Sequence, residues 1–381
     1  MNNRRNNIIA ILTIGILVLT LFVFLYYFFF LRPYVTTDDA YVNGDRISVS
    51  SQIQGRTIAV YVNNGDLVAK GKPVVRLDPT DYQLAYQKSL DQLAQTSRDV
   101  RKLQFQVTES SSLLAIRQAE LRQSEYNFSN RRDLQSIDAV TNEEVKTNET
   151  LVSAAQEQVN IVQSQLNAIK NLLGNRPIEE NPQILMAADN VRASYLNLLR
   201  CDIVAPITGI VGQRSVEIGE AVDPRRPLFA IVPPDTMWVD ANYKEIELTD
   251  VRIGQPAEVR ADIFGSDVVY KGKVIGIAPG TGAAFSLLPP QNASGNWIKI
   301  VQRVPVRISL DPETLAKFPL RLGLSCKVSV KVTDTTGTFN VEKPVLKPHS
   351  TTPVYEIDFT ELNQQIDKII RENVNEQHTS A

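Results

Sequence analysis

The first apolar pattern is an unbroken run near the N-terminus. Residues 8–31 carry no charge and are nearly all Ile, Leu, Val, Phe or Tyr. A helix over this range would span about 36 Å, more than the hydrocarbon core of about 30 Å. A cleaved signal peptide is the alternative, but its apolar core is about 7–15 residues long and ends in small residues, whereas this run ends in Tyr and Phe. We therefore predict an uncleaved transmembrane anchor over 8–31.

The charges beside this predicted anchor indicate its orientation across the membrane. Arg4 and Arg5 lie in the short segment 1–7, and the positive-inside rule keeps such a segment in the cytoplasm. No second apolar run of that length follows in the sequence. We therefore predict a single-pass protein whose body, after Arg32, lies outside the cytoplasm.

Two later segments repeat each other at one constant offset. The matched pairs are Gly55 and Gly209, Val62 and Val216, Gly65 and Gly219, Asp66 and Glu220, Val68 and Val222, Pro73 and Pro227, and Leu77 and Ile231. Each copy reads as short alternating strands with glycine at the turns, and one copy alone is too short to bury a core. Coincidence is the alternative, and the number of matches argues against it. The repeat predicts two half-units sharing one core over 32–78 and 201–233.

Between the half-units the apolar period changes to seven. Asp78 and Pro79 offer an N-cap and a proline at the first helical position. The seven-residue stripe consists of Tyr86, Leu93, Val100, Val107, Leu114, Leu121 and Phe128. Its companion positions are Thr96, Leu103, Ser110 and Arg117. A strict seven-residue repeat is typical of a coiled coil.

A second helix returns along the first. It begins with a capping box at Thr141 and Glu144. Its two seams are Val145, Val152, Val159, Leu166 and Leu173, and Ala155, Val162 and Ile169. A break from Gly174 to Pro182 follows, after which the pattern resumes at Ile184, Val191 and Leu198. Because both outer ends join the half-units, we predict an antiparallel hairpin over 79–200, with its tip between Asp133 and Val140.

The remainder alternates apolar and polar residues again. Strands are predicted at 237–243, 257–263, 268–277, 297–310 and 326–332, which indicates an all-β barrel or sandwich over 234–334. The segment 335–381 is first rich in Thr and Pro and then forms a weakly amphipathic helix at Leu362, Ile366, Ile369 and Ile370. The predicted fold class is therefore mixed α and β, elongated and modular.

Composition narrows the possible functions. The 40 Lys and Arg nearly balance the 42 Asp and Glu, which argues against nucleic acid as a partner. Both histidines lie in the C-terminal tail, and we find no Gly-rich phosphate loop and no metal-ligand spacing. Asp38 and Asp39 are interpreted as a solvated linker. Cys201 and Cys326 are interpreted as buried thiols, with a disulfide left open. We predict no catalytic residue, no cofactor and no metal.

The half-units resemble the biotinyl/lipoyl-carrier fold, except that the helical hairpin replaces the turn that would present a modifiable lysine. The whole order of anchor, split lipoyl-like β-domain, inserted coiled-coil hairpin and β-barrel resembles the HlyD-like membrane fusion proteins, and the EmrA type in particular. The strings that carry this resemblance are Thr37–Val42, Leu77–Asp81, Met237–Asn242, Arg252–Pro256, Phe285–Pro289, Asn292–Ile298 and Gln302–Arg307. The resemblance runs to about Val332 and does not cover the last segment.

This resemblance implies a non-enzymatic periplasmic adaptor of a tripartite multidrug efflux system, held in the inner membrane of a Gram-negative bacterium. Its partners would be an inner-membrane major-facilitator transporter, an outer-membrane TolC-like channel and further copies of itself in a ring. Related adaptors carry the tip motif Arg-x3-Leu-x6-Ser, which Leu134 and Thr141 match in spacing, with Thr for Ser. Asn130 stands at the Arg position and Arg131 follows one residue late. The implied tip residues are Arg131, Leu134 and Thr141.

Two rival functions share this architecture. One is an adaptor of an ATP-driven, type I-like system that exports proteins or peptides. The other is a structural tether of the cell envelope, whose deletion would leave transport unchanged. The EmrA-like strings in the β-barrel favour drug efflux over protein export.

Overall fold

The computed structural model describes residues 12–22, 34–136, 139–174, 176–282, 284–285, 301–340 and 348–375. These residues fall into two units. The first contains the described residues of Met1–Ser51, Ala59–Val75 and Ile203–Tyr355. The second contains those of Gln52–Ile58, Arg76–Asp202 and Glu356–Ala381.

Within the described ranges the helices are α1 (12–22), α2 (Thr80–Gln135), α3 (Asn142–Leu173), α4 (Pro182–Leu199), α5 (Pro312–Lys317) and α6 (Thr360–Asn375). The first nine strands are β1 (Tyr34–Gly44), β2 (Ile47–Ser50), β3 (Gly55–Val60), β4 (Leu67–Val68), β5 (Pro73–Leu77), β6 (Asp202–Val204), β7 (Gly209–Gly212), β8 (Ala221–Val222) and β9 (Pro227–Val232). The others are β10 (Met237–Lys244), β11 (Pro256–Ala261), β12 (Tyr270–Ile277), β13 (Arg303–Leu310) and β14 (Ser325–Lys331).

Helix α1 lies inside the predicted anchor, whose remaining residues, 8–11 and 23–31, are outside the described residues. None of the helices in the described ranges combines the length and the hydropathy that crossing a membrane requires. The anchor over 8–31 therefore stays a prediction from the sequence.

The first unit contains a closed antiparallel barrel with the strand order β1-β10-β13-β12-β11-β14. Alternate residues of each strand point into its core, so Val239, Ala241 and Tyr243 of β10 are fully buried while the residues between them are half-buried. The predicted β-barrel is confirmed. Closure leaves no unpaired strand edge in the barrel.

The position of β1 corrects the predicted domain boundary. Residues 34–44 were expected in the half-unit over 32–78, but β1 lies between β10 and β14, with Ala40 opposite Ala241 and Tyr34 opposite Lys331. Without β1 those two neighbours would each expose an edge. Apolar alternation predicts a strand here but does not identify its partner strand, which is why the sequence assigned it to the wrong domain.

The two half-units form two four-stranded sheets, with the orders β2-β9-β7-β4 and β6-β5-β3-β8. Exchanging each strand for its repeat equivalent (β2 with β6, β3 with β7, β4 with β8, β5 with β9) converts one order into the other. Each sheet therefore combines strands from both halves, which is the relation that the repeat predicts. The paired turn glycines also match, because Gly65 and Gly219 have φ values of 93° and 85°.

The second unit is built on the helical hairpin, as predicted. Helix α2 has 56 residues, which corresponds to about 84 Å. Of its seven-residue stripe, Leu93, Val100 and Leu114 are buried, and Val107 and Leu121 pack beside α3. The α3 seam is also as predicted, with Val159, Val162 and Leu166 buried.

The companion positions on α2 differ near the base of the hairpin. There Leu90 and Ser97 are buried in addition to the stripe residues, whereas the predicted companion residue Thr96 is only half-buried. The reason is that this part of α2 contacts both α4 and α6, so a wider face is covered than a two-helix seam predicts. Farther out, Leu103, Ser110 and Arg117 are half-buried.

The sequence predicts a weakly amphipathic helix in the C-terminal segment but does not identify a packing partner for it. Helix α6 packs against α2 and α4 in one apolar core. Its buried residues Leu362, Ile366, Ile370 and Val374 lie one turn apart along a single face. The base of the hairpin is thus a three-helix bundle, which the sequence pattern of the hairpin alone does not show.

The hairpin tip and a polar strip on the barrel

The hairpin tip begins where α2 ends. The backbone N–H of Ser136 donates to the carbonyls of Asp133 and Leu134, and its hydroxyl donates to Asp133 at 2.6 Å. The N–H of Ala139 donates to the Leu134 carbonyl at 3.1 Å. These bonds pair carbonyls that the end of a helix leaves free. Residues 137–138 of the predicted tip lie outside the described residues.

The other side of the tip is the start of α3, where the predicted capping box is present. The hydroxyl of Thr141 accepts the N–H of Glu144 at 3.3 Å, and the Glu144 carboxylate accepts the N–H of Thr141 at 3.0 Å. Across the turn, the side-chain amide N–H of Gln135 donates to the side-chain oxygen of Asn142 at 2.5 Å. The two helix ends are therefore held together by bonds within the tip itself.

The three predicted tip residues are all exposed. Leu134 and Thr141 flank the turn, on opposite sides of it, and Leu134 exposes 41% of its surface. Arg131 lies three residues before Leu134 on α2, which places both side chains on one face of the helix. In the described part of the tip, an exposed leucine between an arginine and a hydrogen-bonded cap offers an apolar contact point.

A strip of polar side chains crosses the outer face of the barrel on β1, β10 and β13. Near one end, Arg303 donates to the Asp39 carboxylate at 2.7 Å, and the Asn242 amide donates to the same carboxylate at 3.2 Å. The Thr37 hydroxyl donates to the Asn242 carbonyl at 2.9 Å. Asp39 is thus bonded to two neighbouring barrel strands, which corrects its interpretation as part of a solvated linker.

The second part of the strip is centred on Asp240. Its carboxylate accepts from the Asn43 amide at 2.9 Å, from the Trp238 indole at 3.1 Å and from Arg307 Nε at 3.2 Å. The Arg307 guanidinium also lies 4.3 Å from the centre of the Trp238 ring, within the range of cation–π attraction. One carboxylate therefore connects side chains from three adjacent strands.

Three strings that carried the family resemblance meet in this strip. Thr37–Val42 lies on β1, Met237–Asn242 on β10, and Gln302–Arg307 leads into β13. Their separation along the sequence hides the fact that they are neighbours in one sheet. Most of the strings Phe285–Pro289 and Asn292–Ile298 lies outside the described residues.

Both cysteines are free and buried. Burial raises the pKa of Cys201 to about 11 and that of Cys326 to about 12. The interpretation as buried thiols is confirmed. Across the described ranges, no group of three or more His, Cys, Asp or Glu side chains is placed to hold a metal ion.

Comparison with known proteins places these features in a family. The model "EMRA, alpha-helical hairpin domain" matches residues 80–201, and "AAEA-like beta-barrel domain" matches 236–331. The chain is 39% identical to the multidrug export protein EmrA of Escherichia coli (strain K12) over 349 residues, 92% of this chain and 90% of that protein. The chain belongs to the EmrA family. The resemblance seen in the sequence strings is confirmed.

Two further relatives of this EmrA-family chain extend over most of its length. It is 38% identical to the multidrug export protein EmrA of Haemophilus influenzae over 369 residues, 97% of this chain and 95% of the relative. It is 38% identical to the fatty acid resistance protein FarA of Neisseria gonorrhoeae over 337 residues, 88% and 84% of the two chains. The two family models leave β1 and α6 outside their matched ranges.

Proposed function

We propose that this chain is the periplasmic adaptor of a tripartite multidrug efflux pump. It links an inner-membrane major-facilitator drug/proton antiporter to an outer-membrane TolC-like channel. Family membership supports an adaptor role, and the relatives named for multidrug export and fatty acid resistance suggest hydrophobic amphiphiles as cargo. The N-terminal run over 8–31 anchors the chain in the inner membrane, with the body in the periplasm.

The observation that carries this proposal is the hairpin itself. A helix of 56 residues reaches about 84 Å and ends in a capped turn with an exposed leucine. A rod of that length has little use within its own chain, so its tip is the natural contact for a distant partner. Arg131, Leu134 and Thr141 are the residues we assign to contact with the channel. Several copies in a ring supply the enclosing wall that one hairpin does not form.

The direct test is crosslinking at the tip. We expect a full-length Leu134→Cys chain, labelled with a maleimide–diazirine reagent and illuminated in intact cells, to form an adduct with an outer-membrane channel, because the diazirine needs no cysteine on the partner. The matched control is Lys102→Cys, which is exposed on the same helix and lies roughly 48 Å closer to the base. An equal yield from both positions, or no adduct from any tip position, would contradict docking through the tip.

Transport measurements test the rest of the proposal. A deletion strain should accumulate an amphiphilic dye, and the wild-type chain should reverse this. A proton ionophore should abolish the reversal while ATP is held constant. Dependence on ATP alone would favour the ATP-driven export system, and unchanged accumulation in the deletion strain would favour a structural tether.

A further inference from the structure

The return arm of the hairpin is discontinuous. Helix α3 ends at Leu173, and α4 begins at Pro182, whose ring nitrogen cannot continue a helical hydrogen-bond ladder. Gly174 has a φ of 81°, so the backbone leaves the helix there. Within the break, buried Asn181 donates to the Leu173 carbonyl and accepts the N–H of Gln183, both at 2.9 Å. The side chain of Asn181 therefore links the end of α3 to the start of α4 within the return arm.

The distal hairpin has a thin core. The cluster between α2 and α3 contains four buried apolar residues, namely Leu114, Val159, Val162 and Leu166. A thin two-helix core gives little resistance to movement at a break in one of its helices. The arm therefore needs support from the side.

Helix α6 lies where that support is required. Its buried face packs with Leu90, Leu93 and Val100 of α2 and with Ile184, Ala188 and Val191 of α4. It also contacts the 3-10 turn Ile178–Glu180 inside the break, and Ile178 packs against the same core. The helix thus spans the outgoing arm, the resumed return arm and the joint between them.

Polar bonds fix the register of α6 at both ends. Near its start, Arg192 donates to Asn363 at 2.9 Å and Tyr86 donates to Gln365 at 3.1 Å. Near its end, Arg98 donates to the Asn373 side chain at 2.8 Å. A helix held only by apolar contact could slide by a turn, whereas these bonds select one position.

We propose that α6 is a clasp. By packing across the break, it holds the base of the hairpin as a three-helix bundle and keeps the return arm aligned with α2. Neither family model includes this helix, and the clasp does not depend on what the chain transports. Its loss leaves the barrel and the tip folded but loosens the base.

Hydrogen exchange of the full-length chain tests this directly. Ile366 is 1% exposed, so Ile366→Glu places a charge in the bundle core, and we expect the amides of 86–100 and 184–198 to exchange at least tenfold faster. The matched control is Gln364→Glu, which adds the same residue on the exposed face of α6 and should change neither segment. The amides of β10 and of the α3 cap at Thr141 serve as internal references and should not change.

Two results would overturn the clasp. One is equal exchange at the base in Ile366→Glu and Gln364→Glu. The other is a rise in exchange that is as large in β10 as in α4, because α6 would then support general stability rather than the joint. If Ile366→Glu does not accumulate, Ile366→Ala with Gln364→Ala as control makes the same comparison through a cavity instead of a charge.

Discussion

Asp66 and Glu220 make the same hydrogen bond in the two halves of the repeat. The Asp66 carboxylate accepts the N–H of Asn63 at 2.7 Å, and the Glu220 carboxylate accepts the N–H of Glu217 at 3.0 Å. That N–H, with Arg226 beside it, holds the pKa of Glu220 below its usual value. The two turns therefore keep their geometry with side chains of different length, provided that a glycine precedes each acid.

Those glycines lead to the first prediction. Gly65 and Gly219 have positive φ and open space around them, so replacement by alanine strains the backbone without a clash. We expect Gly65→Ala and Gly219→Ala to cost about 1–3 kcal/mol each in local opening of their sheets, measured by native-state hydrogen exchange. Gly212→Ala is the control, since its nearest contact would be the Ala230 carbonyl at 3.8 Å. Equal losses at all three positions would refute the φ argument.

A second prediction concerns packing in the barrel. A side chain at Gly272 on β12 would lie 2.0 Å from the Ser309 carbonyl of β13, and backbone cannot yield as a side chain can. Gly272→Ala should lower barrel stability by on the order of 3 kcal/mol. Gly276→Ala, on the same strand with nothing within 4 Å, should be nearly neutral. The thermal unfolding transition of the barrel compares them, and similar midpoints would contradict the predicted clash.

At the tip, substitution separates the cap role of Thr141 from its proposed contact with the channel. Thr141→Ala removes the acceptor of the capping box and should destabilise the start of α3 by about 1 kcal/mol. Thr141→Ser keeps the hydroxyl, so exchange of the α3 amides should stay close to wild type. If Thr141→Ser nevertheless weakens crosslinking at Leu134→Cys, the threonine methyl contacts the channel. If neither variant changes crosslinking, Thr141 acts as a cap alone.

The clasp should respond to acid. The Asp358 carboxylate accepts the hydroxyl of Thr360 at 2.5 Å and its N–H at 2.8 Å, and these bonds lower the pKa of Asp358. A lowered pKa means that the ionised carboxylate stabilises the folded form above the unfolded value of 3.8, and that this contribution is lost as pH falls through the lower folded value. Above about pH 4 the α6 amides should exchange more slowly in the wild-type chain than in Asp358→Asn, and below that pH the two exchange rates should become equal. A constant ratio across that range would argue against a stabilising role of the Asp358 carboxylate.

The native thiols should be silent in labelling experiments. Because Cys201 and Cys326 are buried and have raised pKa values, neither is a ready nucleophile near pH 8. We expect maleimide to label neither in the folded chain and both after denaturation, while Leu134→Cys reacts in the folded chain. Rapid labelling of the wild-type chain would show that one of the two sites opens.

Much of the hairpin is predictable because its signals are local. The capping box at Thr141, the break after Gly174 and the seven-residue seam all follow from residues close to one another in sequence. The two-fold relation of the sheets also follows, since matching residues such as Gly65 and Gly219 require matching turns. Each of these features is determined by residue types and spacings that can be seen directly in the sequence.

The features that sequence reasoning missed depend on partners far away in the chain. Asp39 looks like a linker residue until Arg303 and Asn242 are placed beside it. Ile366 belongs to an amphipathic helix whose apolar face could pack on any element, and nothing in its own segment indicates α4. The sequence did indicate that Asp39 is more than a linker residue, because it stands in one of the strings that resemble the EmrA type. Such a string does not show which residues Asp39 contacts.

The place of β1 in the barrel also sets an order of events during biosynthesis. Tyr34 of β1 pairs with Lys331 of β14, so the first of the described strands to leave the ribosome bonds to the last of them. Strand β10 is made earlier and pairs with one edge of β1, but the other edge stays open until β14 has been made, and contacts between such distant residues form slowly. The barrel therefore closes only after the hairpin has been synthesised, and until then the open edge of β1 is a site at which other chains can pair.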